Sequence, residues 1–205
     1  MLLNEFKVLL TKSLIGSCGE VILNLPKEIP DKSIYAFSIY CASGCTSFGV
    51  AFSTVDFLKE KNKELASNDS RALLNKMNAA EWSHVNFGYG FFQTADRLAN
   101  DFYDCLYDGD FDDFRIDPKI TSKELSDIAS DAFVDSISNA LLKMKNNGVF
   151  FEKRLVDDSL LGLQFGSPGP RELKMMEAVS SSVNSVRWHD EVVRNCSLIR
   201  NLQAN

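Results

Sequence analysis

The sequence predicts an α+β fold: a single domain with an antiparallel sheet built from two hairpins and helices packed on it. Three observations carry this prediction. Two strand-like runs flank the dipeptide Ser43-Gly44. Two further apolar runs, 149–151 and 160–165, follow the longest helical stretch. The remaining segments repeat apolar residues at helical spacing, and strands that arrive in pairs favour an antiparallel sheet.

In chain order, Leu2/Leu3, Phe6, Leu9/Leu10 and Leu14 recur as on one face of a helix from about Leu3 to Ile15 or slightly beyond. Pro26 and Pro30 punctuate the connection that follows. Residues 33–40 (SIYAFSIY) are aromatic and β-branched with no charge, and read as a strand. Thr46, Phe48, Val50 and Phe52 alternate, so the two runs form a hairpin about Ser43-Gly44. Ser53 or Thr54 can cap a helix from Val55 that turns Phe57, Leu58 and Leu65 inward. Residues 68–70 interrupt that pattern, and a shorter helix covers 71–77. The aromatic, glycine-bearing stretch 80–90 is expected to be irregular. Phe92, Ala95, Leu98, Phe102 and Cys105 then mark a helix over 91–106.

The strongest helix signal covers 122–146. Thr121 and Glu124 have capping-box spacing, Lys143 and Lys145 suit the negative end of the dipole, and Gly148 can terminate it. Residues 149–151 and 160–165 then read as the second strand pair, with Asp157-Asp158 in the turn. Pro170 opens a helix over 171–183, and the chain after Trp188 forms one more.

The chain has 205 residues, 45% hydrophobic and 24% charged, enough for one domain with a sizeable core. No apolar run approaches the ~20 residues of a membrane span. Net charge is −6, and its placement is informative. Residues 101–117 hold seven aspartates and the single base Arg115, which accounts for the whole excess; elsewhere acids and bases balance. Nucleic-acid binding, which needs a basic surface, is therefore not expected. A basic protein partner or a cation fits better.

The five cysteines (18, 41, 45, 105 and 196) lack the paired Cys/His spacing of a zinc site and read as buried apolar residues of a reducing cytosol. Ile15-Gly16-Ser17-Cys18 looks like a lipoprotein cleavage box, but Glu5 precedes any base where a leader starts basic, and Lys7 and Lys12 break the apolar run it needs. Gly88-Tyr-Gly90 and 162–169 lack the residues of nucleotide loops. Of two histidines, His84 adjoins Ser83 and Glu81, which admits a small hydrolase or transferase if the three converge in space. His189 beside Trp188 lacks companions for a metal. No catalytic set, metal or cofactor is expected.

The acidic segment interleaves aspartates with aromatics: Asp101-Phe-Tyr103-Asp104-Cys-Leu-Tyr107-Asp108-Gly-Asp110-Phe-Asp112-Asp113, then Asp117. A calcium loop starting at Asp108 would need glycine at its sixth and glutamate at its twelfth position; Asp113 and Lys119 stand there. The functional reading is a docking face. Asp101, Asp104, Asp108, Asp110, Asp112, Asp113 and Asp117 steer a basic partner, and Tyr103 and Tyr107 anchor it. The bland reading is a solvated loop with tucked-in aromatics.

Three stretches carry a resemblance: Tyr35-Ala-Phe-Ser-Ile-Tyr40, Trp82-Ser83 followed by Phe87 and Tyr89, and Asn147-Gly-Val-Phe-Phe-Glu152 after a long helix. In this order they resemble the bacterial family catalogued as domain of unknown function 4303. That family's loop reads Trp-Ser-Pro and then a second Trp; His84 and Phe87 stand in those places here. The resemblance brings no catalytic set. It implies a compact α+β bacterial protein, similar to the small acidic immunity proteins that bind and neutralise a cognate toxin in the cytoplasm.

Overall fold

Seven α-helices and four strands make up the computed structural model, which describes residues 3–66, 69–108, 120–148 and 154–204. The helices are α1 (Leu3–Leu23), α2 (Val55–Lys61), α3 (Ser70–Met77), α4 (Gln93–Asp108), α5 (Ser122–Asn146), α6 (Pro170–Val183) and α7 (Val186–Gln203). The strands are β1 (Ile34–Cys41), β2 (Phe48–Thr54), β3 (His84–Phe87) and β4 (Leu155–Phe165). They form one sheet in the order β3-β2-β1-β4.

The first hairpin forms as its alternation requires. β1 and β2 pair antiparallel, Phe37 opposite Phe52 and Cys41 opposite Phe48. The turn between them takes Gly44 through φ +75°, open to glycine without strain, and Cys45 through φ +56°, where an L side chain is strained.

Among the described residues the second hairpin does not form, and the sheet is mixed rather than purely antiparallel. β4 is one strand of 11 residues, and it pairs parallel with β1. Between Leu155 and Leu160 it advances five positions while β1 advances two, from Ile34 to Ala36. Asp157-Asp158 thus lies in a register jump, not a turn. Residues 149–151 lie outside the described residues. The reason is topological: the helices between β2 and β4 carry the chain back to re-enter the sheet parallel to β1. The near-continuous apolar run 160–165 is the mark of a strand covered on both faces.

Two further expectations change. Residues 84–87 form the short edge strand β3 against β2. α2 ends at Lys61 and buries no residue fully; Phe57 stays exposed beneath the Lys61 ammonium, 5.6 Å from its ring centre. A helix of under two turns has no room for the Phe57–Leu65 stripe.

Helix packing covers both faces of the sheet. On one face Phe6 of α1 stacks on Phe102 of α4, ring centres 4.1 Å apart, and Phe133 of α5 meets both rings and Phe48 of β2. All four rings are fully buried, each contributing about 2–3 kcal/mol of transfer free energy. On the other face Tyr35 stacks against Trp188 of α7 and donates to the Lys76 carbonyl at the end of α3 (2.9 Å). Gln164 of β4 donates to the Met77 carbonyl on the same side. α5 spans 122–146 as predicted, with both halves of the Thr121–Glu124 capping box formed. No described helix is long and apolar enough to cross a membrane.

Candidate functional site: the exposed face of α4

α4 is positioned by one stripe and leaves another free. Ala95, Ala99, Phe102 and Leu106 follow helical spacing and are buried. Asp96, in the first turn, accepts the Phe48 backbone N–H at 2.8 Å, which ties the start of the helix to β2. Burial pushes the Asp96 carboxyl above its ordinary range, partly offset by that hydrogen bond.

The other stripe carries the predicted acids. Asp101, Asp104 and Asp108 are spaced by three and four residues and all are exposed. Tyr107 is 71% exposed. Tyr103 is half-buried, and its hydroxyl donates to the Gly44 carbonyl at 2.6 Å. The Tyr103 and Tyr107 rings stack, 6.1 Å between centres and 20° between planes. Burial pushes the Tyr103 phenol up to about 12. The structure therefore brings together five of the nine predicted residues: Asp101, Tyr103, Asp104, Tyr107 and Asp108. Asp110, Asp112, Asp113 and Asp117 lie outside the described residues.

The electrostatics of this stripe oppose helix stability. A helix C-terminus carries a partial negative charge and favours bases. α4 has none in its last turn and places Asp108 there. Beside the stripe, Ser43, Gly44, Tyr103, Asp104, Tyr107 and Arg171 line a groove of about 370 Å³. Its far wall is held by a polar chain that sequence reading missed. The Ser43 hydroxyl donates to Glu172 Oε1 at 3.0 Å, Arg171 donates to the same oxygen at 3.3 Å, and Arg171 also donates to Ser126 Oγ. Burial raises the Glu172 carboxyl, but its hydrogen bonds with the backbone, Ser43 and Arg171 more than offset this and leave it below its ordinary range. No sequence signal links 171–172 to the 43–45 turn; only the α6–β4 packing does.

The Ser83–His84 pair does meet, with Nδ1 3.0 Å from Oγ. The Ser83 hydroxyl also donates to the Phe52 carbonyl at 3.3 Å. The imidazole stacks on Phe52, centres 4.2 Å apart, and burial lowers its pKa. The Glu81 carboxylate is bound by Lys61 at 2.7 Å. Among the described residues no three of His, Cys, Asp and Glu gather closely enough to hold a metal ion. His189 lies 3.4 Å from Ser180 Oγ. Cys18, Cys41, Cys45 and Cys196 are buried free thiols, and Cys105 is partly exposed.

The family model described as Domain of unknown function (DUF4303) matches residues 19–158. No curated protein and no solved structure matches the chain.

Proposed function

The chain belongs to the DUF4303 family, and from that premise we propose that it is a non-enzymatic binding protein of the bacterial immunity type, acting in the cytoplasm, whose α4 face masks a basic protein toxin. One observation carries the proposal. α4 ends in exposed aspartates at the negative end of its own dipole, with no base in the last turn. That arrangement costs folding stability and supplies a field for a basic partner. Tyr107 adds exposed aromatic area held in place by Tyr103, so little side-chain freedom is lost on docking.

The test uses the product of the neighbouring open reading frame as partner, with growth protection and binding rates as readouts. The variant Asp101→Asn/Asp104→Asn/Asp108→Asn is expected to slow association about tenfold and flatten its salt dependence. Tyr107→Ala is expected to speed dissociation by about tenfold. A toxic partner bound with unchanged rate and salt slope by both variants would move the interface elsewhere. A non-toxic partner would remove the immunity reading.

A further inference from the structure

We propose that the solvent face of α1 is a two-fold interface with a second copy of this chain, the two helices running antiparallel and crossing at Gly16. The argument starts from an apolar groove of about 490 Å³ between α1 and the start of α4. Leu9, Lys12, Gly16 and Glu20 line it on the α1 side, and Phe91 and Leu98 on the other. Leu9 is 40% exposed, Phe91 42%, and Leu23, one turn beyond Glu20 on the same stripe, 80%.

The occupant follows from the order of residues along α1. Lys12 and Glu20 stand four residues either side of Gly16; Leu9 and Leu23 stand seven either side. A two-fold axis at Gly16 with the helices antiparallel sets Lys12 against Glu20 of the second copy twice, and Leu9 against its Leu23 twice. A parallel pairing would oppose like charges. A purely basic or purely acidic partner would satisfy one end and repel the other. A surface with the same charges in reverse order fits throughout, and this chain's own α1 is one. Self-complementarity of that kind is what an isologous dimer requires.

Two facts inside the subunit agree. Neither Lys12 nor Glu20 has an ion-pair partner among the described residues. A Cβ added at Gly16 would meet nothing within 4 Å, so packing within the subunit does not call for glycine in this mid-helix position. Glycine there leaves room for the close approach of a second backbone. The interface uses α1, the turn at Phe91 and the first half of α4, residues other than those of the acidic stripe.

The experiment is sedimentation equilibrium on the full chain and four variants over a range of salt. Wild type is expected to form a dimer that weakens as salt rises. Lys12→Glu and Glu20→Lys should each weaken it about tenfold, because each turns two attractive pairs into repulsive ones. The double variant Lys12→Glu/Glu20→Lys restores both pairs and should return close to wild-type affinity. Gly16→Leu should be monomeric. All three substituted positions lie on the exposed face, and an unchanged far-UV spectrum checks that each variant still folds. A wild-type chain that stays monomeric up to its solubility limit, or a dimer indifferent to the charge reversals and not rescued by the double swap, overturns the proposal.

Discussion

The Tyr103 hydroxyl joins α4 to the β1–β2 turn through a single hydrogen bond to Gly44. Tyr103→Phe keeps the ring packing and removes that bond. It should cost about 1 kcal/mol, read as a lower urea midpoint with unchanged slope. A pH signature follows from the raised phenol. The folded chain holds this proton more tightly than the unfolded chain, whose tyrosine titrates near the ordinary value of 10.0. The contribution is therefore complete below pH ~10 and is lost as pH rises toward the folded value of about 12. Wild type should lose stability over that interval faster than Tyr103→Phe, and the difference isolates this tyrosine from Tyr35 and the buried thiols. At this scale the sequence was partly legible. Tyr103 and Tyr107 stand out in the sequence by their place among aspartates, and their rings stack on α4. Arg171, Glu172 and Ser43 do not stand out, because a polar chain joining positions 129 apart leaves no local pattern.

At the scale of elements, regular spacing was the readable signal. α5, α6 and the β1–β2 hairpin follow their caps and periodicities closely. β4 did not, because parallel or antiparallel entry depends on where the preceding helices leave the chain. Among the described residues, the outer edge of β4 meets a side chain rather than another strand. Asn184, at the α6–α7 junction, accepts from Leu161 N–H at 2.9 Å and donates to the Leu161 carbonyl at 2.7 Å. It imitates a strand neighbour for one residue and closes an edge that could pair with another chain. Asn184→Ala strands both backbone groups and should cost about 2 kcal/mol. Thermal unfolding measures the loss; an unchanged midpoint would mean that water replaces the amide at no cost.

For the whole molecule, the matched span 19–158 stops inside β4. The residues beyond it are structural. Leu160, Leu161, Leu163 and Phe165 are buried, β4 lies beside β1, and α6 and α7 pack on what precedes them. A chain ended after Asp158 should therefore not fold by itself. It uncovers the backbone edge of β1 and an apolar face, and is expected to aggregate, with loss of cooperative unfolding by circular dichroism. A soluble, cooperatively melting fragment would show that β1 to β3 suffice. The charge distribution also belongs to this scale: the sequence outside 101–117 is balanced, and Asp101, Asp104 and Asp108 of that segment give the α4 face a negative field.

The sequence by itself determined where most elements lie, because caps, prolines and apolar periodicity act over a few residues. It also determined where the net charge sits, since charge is additive along the chain. Tertiary structure alone decided the direction of β4, the meeting of α4 with the β1–β2 turn and with Arg171, and the packing of His84 on Phe52. Each depends on which distant segment supplies the neighbouring atom, and that choice is made by packing the whole core rather than by local preference.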